Sequence, residues 1–194
     1  MKTFRIVIAG VGGQGSITAG RLIAEAGLAD GLSVLTSEIH GMSQRGGVVE
    51  STVVIGDVKS PLVGKGEADL LLSFEPVEAV RCLEYCSKKT VAVVNTEKVV
   101  PFTVSIGKAE YPELPELLAE LEKSVGRLVT LKAVEIAETA GSAKALNSAL
   151  LGALGATGIL PIKPETLRET VLKMVPRKFL AENEKAYELG QKAV

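Results

Sequence analysis

Residues Arg5–Gly15 read RIVIAGVGGQG and run straight into SITAGRLIAEAGL at Ser16–Leu28. Arg5–Ala9 (RIVIA) is a short apolar run rich in β-branched side chains, which predicts a buried strand. Gly10–Gly15 (GVGGQG) supplies a turn, and Ser16–Leu28 a helix that Asp30-Gly31 ends. On that helix Ile17, Gly20, Ala24, Gly27 and Leu28 share a face. Glycine and alanine dominate it, so the helix can lie close on a sheet. Strand, glycine turn and helix in this order predict an α/β fold.

Working outward, Ser33–Ser37 (SVLTS) reads as a second strand and Val48–Ile55 (VVESTVVI) as a third. Only Glu38–Gly47 (EIHGMSQRGG) lies between them. A crossover helix needs about ten residues or more besides its turns, so the third strand is not a regular parallel neighbour and the sheet is mixed. Asp69–Ser73 (DLLLS) and Val91–Asn95 (VAVVN) are further strands, with a helix over Glu75–Ser87 between them. Glu97–Pro112 is irregular or hairpin-like, with Pro101 and Pro112 as breakers. Pro115–Ser124 is a helix and Leu128–Leu131 a last short strand. The remainder is helical, over about Val134–Thr139, Lys144–Ala156, Pro164–Met174 and Arg177–Lys192. The expected architecture is a three-layer Rossmann-like fold with a mixed, mostly parallel sheet and a helical C-terminal third. There is no repeat or linker, and residues 1–194 are expected to form a single domain.

Composition narrows the function. At roughly 150 residues per domain, 194 residues fit one compact unit. Hydrophobic content of 46% with 23% charged residues excludes disorder. The 22 Lys+Arg against 23 Asp+Glu argue against a general polyanion binder. An iron–sulfur cluster usually takes four cysteines, and this chain has two, Cys82 and Cys86. Four apart in an apparent helix, they read as ordinary helix residues and fit a reducing cytosol. His40 is the only histidine, which excludes a multi-histidine zinc site within one chain. Met1–Arg5 is basic, but the apolar run after it ends at Gly10, so no signal peptide is read. Ala145–Ile162 carries no charge. Its Asn147, Ser148, Thr157, glycines and Pro161 favour a buried helix and turn over a membrane span. A cytoplasmic protein is expected.

In an open α/β sheet, ligands bind at the C-terminal ends of the parallel strands. Gly10–Gly15, Glu38–Gly47, Ser73–Pro76 (SFEP) and Asn95–Thr96 should all emerge there. Two of these are glycine-rich, so backbone N–H groups can approach a bound group, and the helix starting near Gly15 points its positive end there. Such a crest suits a phosphate, a carboxylate or a partner's acidic loop. Gly10-x-Gly12-x-x-Gly15 matches the dinucleotide fingerprint, and Glu38 stands roughly where the ribose acid belongs. Against a nicotinamide site stand the missing second crossover helix and the lack of a substrate domain. The glycines could equally serve only a tight turn and close packing. No P-loop lysine follows them, and no Ser-His-Asp or Cys-His nucleophile can be assembled. His40, Ser43, Gln44 and Arg45 form a polar cluster in which Arg45 offers a planar fork for a carboxylate or phosphate, although a solvated loop reads the same way. The small residues Ala145, Ala149, Gly152, Ala153 and Ala156, and the stripe Phe179, Leu180, Asn183, Ala186, Tyr187 and Gly190, read first as core faces.

GVGGQGSITAGRLIAEAG followed by SEIHGMSQRGGVVESTVVIG resembles the gamma domain of 2-oxoacid:ferredoxin oxidoreductases. Within that family Ser37-Glu38-x-His40-Gly41-Met42-Ser43-Gln44-Arg45-Gly46-Gly47 looks most like the branch acting on indolepyruvate. Pyruvate and 2-oxoglutarate members tend to differ before the Arg-Gly-Gly. The resemblance continues through SFEPVEAVR at Ser73–Arg81, the Asn147 helix, and Asn183, Ala186, Tyr187 and Gly190. It implies an accessory subunit, inactive alone, of an enzyme that converts a 2-oxoacid and CoA to an acyl-CoA. Thiamine diphosphate and iron–sulfur clusters would sit in a larger alpha subunit, and electrons would leave through ferredoxin. This chain has no Gly-Asp-Gly start of a thiamine-diphosphate motif. The implied ligand or subunit contacts are Gly10, Gly12, Gly13, Gln14, Gly15 and Glu38 with His40, Ser43, Gln44, Arg45, Gly46 and Gly47. A gamma subunit of a pyruvate or other 2-oxoacid:ferredoxin oxidoreductase, self-contained NAD or FAD binding, and a nucleotide-sensing scaffold are the other readings.

Overall fold

The computed structural model describes residues 2–40, 46–108 and 110–194, without the side chains of residues 40, 102 and 103. Ser43, Gln44 and Arg45 therefore lie outside the described residues. Strands β1 (Phe4–Val11), β2 (Val34–His40), β3 (Val48–Ile55), β4 (Leu70–Ser73), β5 (Val91–Asn95) and β6 (Arg127–Leu131) form one sheet. Its order is β2-β3-β1-β4-β5-β6. β3 runs antiparallel to both neighbours, with Val11 opposite Val48 and His40 opposite Val49. β1, β4, β5 and β6 are mutually parallel. β2 and β3 thus pair as a hairpin, and β3 slots between β2 and β1.

Helix α1 (Ser16–Ala29) follows β1, and α2 (Pro76–Arg81) follows β4. Next come α3 (Phe102–Ser105), α4 (Leu114–Ser124), α5 (Ala133–Ala140), α6 (Leu146–Ala156), α7 (Pro164–Met174) and α8 (Leu180–Lys192). Alternating strand residues separate two cores. Ile6, Ile8, Val53, Ile55, Leu70, Leu72 and Val93 face α1 and the C-terminal helices. Val7, Ala9, Leu71, Ala92 and Val94 face α2 and α4. The three-layer α/β reading holds. No helix among the described residues is long and apolar enough to cross a membrane.

Several local expectations need correction. Gly20, Ala24 and Gly27 do face the sheet, but Ile17 and Leu28 are exposed. Those two sit over the part of the sheet that the hairpin leaves without a covering helix. The helix read over Glu75–Ser87 stops at Arg81 and tightens into a 3-10 turn at Cys82–Tyr85. Similar 3-10 turns open the helices read from Lys144 and Arg177. Ala156 and Leu180 are exposed rather than core. The irregular 97–112 segment contains the short α3.

The C-terminal helices meet backbone to backbone. A Cβ on Gly152 would stand 2.1 Å from the Tyr187 carbonyl oxygen, and one on Gly190 2.0 Å from that of Ala149. Glycine at both positions lets α6 and α8 cross without side chains between them. Tyr187 itself is fully buried there.

Candidate functional site

The crest of the sheet forms where β1, β2, β4 and β5 end and β3 begins. Gly13 and Gly15 take left-handed conformations (φ 106° and 89°), which glycine adopts without strain. Gly15 caps α1 with no side-chain hydrogen bond, and no acid stands in the first turn. The positive end of this 14-residue helix is therefore not neutralised by its own residues. A Cβ on Gly15 would lie 2.6 Å from Asn147 Nδ2. Asn147 Oδ1 is buried with no hydrogen-bond partner among the described residues.

The two glycine-rich motifs are bonded to each other. Gly12 N–H donates to the Gly47 carbonyl at 2.8 Å, and Gly46 N–H to the Gly12 carbonyl at 3.2 Å. Gln14 stitches the turn to the next loop. Its Oε1 accepts the Val11 N–H at 2.8 Å, and its Nε2 donates to the Phe74 carbonyl at 3.0 Å. Both ends of the Gln14 amide are thus engaged within the chain. Asn95 Nδ2 donates to the same carbonyl at 3.0 Å, while its Oδ1 accepts the Ala133 N–H at 2.9 Å. Glu97 Oε2 accepts the Val134 N–H at 2.9 Å at the same helix start. Four loops form one hydrogen-bonded surface. The sequence placed them together, but it missed the stitching roles of Asn95 and Glu75.

Glu75, 1% exposed, caps α2 by accepting the Val77 and Glu78 N–H groups at 2.7 and 3.1 Å. It also accepts the Tyr111 hydroxyl and the Val99 N–H, which pins the 97–112 segment to the crest. Glu78 is buried beside it, with Oε1 accepting from Arg81 at 2.9 Å and Oε2 unpartnered among the described residues. Burial raises its carboxyl above the ordinary 4.5, against the pull of Arg81. The native state then holds the proton more tightly than the unfolded chain. The stability attached to the protonated form is complete below 4.5 and is lost as pH rises through the higher native value. Glu78→Gln is expected to raise the thermal midpoint at neutral pH and to flatten its decline above 4.5. Melting curves across that range check this, and a lower midpoint at neutral pH contradicts it.

Glu38 stands apart from the crest. It lines a groove of about 490 Å³ between α1 and the β2–β3 edge. Because β3 intervenes, β2 lies two strand spacings, roughly 10 Å, from β1. In a dinucleotide fold the two strands are neighbours. Glu38 cannot take the ribose acid's place beside this glycine turn. Neither thiol is activated by a lowered pKa. Burial pushes Cys82 far up and Cys86 to about 11. Among the described residues no group of three or more His, Cys, Asp or Glu could hold a metal ion.

A family model described as pyruvate ferredoxin/flavodoxin oxidoreductase matches residues 5–193. The indolepyruvate oxidoreductase subunit IorB of Archaeoglobus fulgidus is 43% identical over 185 residues, 95% of this chain and 92% of that protein. The keto/oxoacid ferredoxin oxidoreductase gamma subunit of Geobacter sulfurreducens superposes with a TM-score of 0.70 at 25% identity, over 98% of this chain and 97% of that one. A 2-oxoglutarate:ferredoxin oxidoreductase chain of Magnetococcus marinus has the same fold, with a TM-score of 0.72 at 24% identity. There it covers 100% of this chain but 31% of the other.

Proposed function

The chain belongs to the pyruvate ferredoxin/flavodoxin oxidoreductase family, and from that premise we propose that it is the accessory subunit of an indolepyruvate:ferredoxin oxidoreductase. The complete enzyme would turn an arylpyruvate and CoA into an acyl-CoA and carbon dioxide, passing an electron pair to ferredoxin. Catalysis needs a larger alpha subunit, and this chain alone is inactive. Its own residues do not fit a 4Fe-4S cluster, since the chain has two cysteines and such a cluster usually takes four. In this reading thiamine diphosphate and the 4Fe-4S clusters would be carried by the larger subunit.

The observation that carries this reading is the joined crest, where Gly12 is bonded to Gly46 and Gly47. It presents bare backbone and a helix start that Gly15 closes without a side-chain cap, with Arg45 adjacent in the chain to Gly46. Such a surface suits a CoA phosphate or an oxoacid carboxylate at the join between subunits. Anaerobic purification of the tagged chain with its large subunit, assayed with indolepyruvate, phenylpyruvate and pyruvate, tests the assignment. Arg45→Ala in that complex should raise the KM for CoA or the oxoacid about tenfold, the loss of one charged hydrogen bond. Unchanged assembly with unchanged KM values removes Arg45 from the site. The strand order disfavours self-contained dinucleotide binding, so titration of the isolated chain with NAD or FAD should show no saturable binding.

A further inference from the structure

Among the described residues β2 is the outermost strand, bonded only to β3. It has 7 residues, VLTSEIH, with no proline and no lysine, and its register with β3 is unbroken by a bulge. Edge strands usually carry such guards against pairing. Apolar side chains stand exposed on both sides of this one. Ile39 is 59% and Leu62 68% exposed where they share a small cavity on one face. On the other face Leu28, 54% exposed, and Ile17 border the groove beside α1. A crossover helix would cover that groove in a regular parallel sheet, and the hairpin has replaced it. The Ser51 hydroxyl is buried on the groove floor with no hydrogen-bond partner among the described residues. Glu25, Glu38 and Arg21 line the groove and form no ion pair among the described residues.

We propose that the β2 edge and its two exposed apolar flanks are the docking surface for an extended segment of the larger catalytic subunit. This rests on the subunit reading above and assigns it a surface away from the crest. The occupant adds a strand to β2, covers Ile39 and Leu62 with apolar side chains, and brings a cation to Glu25 and Glu38. A second copy of this chain fits poorly. Antiparallel pairing about Ser37 would turn both copies' Glu25 and Glu38 toward the same side, with two arginines against four carboxylates. In the Magnetococcus marinus protein the same fold is 31% of one longer chain, so there the domain sits on further enzyme covalently.

The test uses the tagged chain co-expressed with the larger thiamine-dependent subunit of its host. Ile39→Lys with Leu62→Lys should lower the large subunit recovered by about tenfold or more. Leu180→Lys, an exposed apolar position on α8, should leave recovery unchanged. The melting point of the free chain should be the same for all. Amides of residues 34–40 should exchange more slowly in the wild-type complex than in the free chain. Normal recovery of the double variant, or equal exchange in both states, overturns the proposal. So does a dimer of the free chain that the double variant dissolves, which would assign the edge to self-pairing. If the wild-type chain recovers no thiamine-dependent subunit, the subunit reading itself fails, and the docking proposal falls with it.

Discussion

Gly152→Ala and Gly190→Ala are each expected to cost the fold about 3 kcal/mol, at the upper end for overpacked cores. For a chain of this size that is a fall of about 10 °C in the unfolding midpoint. The new methyl would stand 2.1 Å from the Tyr187 carbonyl oxygen in one case and 2.0 Å from that of Ala149 in the other. Both obstacles are backbone, so no rotamer relieves them. The helices must separate, and α8 draws Ala186 and Tyr187 out of the main core as it moves. Gly155 is the internal control. A Cβ there meets the Tyr187 hydroxyl at 3.0 Å and a Leu167 methyl at 3.5 Å, both far ends of side chains. Gly155→Ala should cost far less. Urea or thermal unfolding of the three variants checks the ranking, and equal midpoints would show that α6 and α8 are not in backbone contact.

Asn95→Ala should destabilise the chain by roughly 2–3 kcal/mol. Asn95 is fully buried, and its removal orphans the Ala133 N–H at the start of α5. The Phe74 carbonyl loses one of two donors but keeps Gln14. Asn95→Asp makes the reasoning sharper. The acid still accepts from Ala133, but it turns a second oxygen toward the Phe74 carbonyl and buries a charge. Its cost at neutral pH should match or exceed that of alanine. A buried aspartate binds its proton more tightly in the folded state, so the deficit should shrink as pH falls and the protonated acid donates to Phe74. Unfolding midpoints of both variants against pH decide it, and a pH-independent difference between Asp and Asn would refute the geometry.

Much of the fold was readable because apolar runs with β-branched residues leave few choices. Val48–Ile55, Val91–Asn95 and Pro164–Met174 have the expected limits. The shortness of the Glu38–Gly47 connection also excluded a parallel third strand. It could not say where that strand goes, because insertion between β2 and β1 is decided by pairing across the sheet. The exposure of Ile17 and Leu28 follows from the same choice. Gly152 and Gly190 read as small residues on core faces, but nothing local marks them as facing each other's helix backbone. Gln14 belongs to the crest as read, although its amide serves Val11 and Phe74. Asn95 had a usable signal in the single polar residue closing VAVVN, since a buried amide must find partners.

The inserted hairpin also sets an order of events when the chain folds. β1 is central in the sheet, yet its partners β3 and β4 lie far along the chain, so its pairings close long loops before any contact repays the lost chain entropy. The β2–β3 hairpin closes a short loop and precedes them. The glycine turn after Val11 reaches its final shape only when that hairpin adds to β1, because Gly12 is held by Gly46 and Gly47. The crest is therefore among the last surfaces a refolding molecule completes, and mutations that slow hairpin addition should delay its assembly even where they leave the finished protein unchanged.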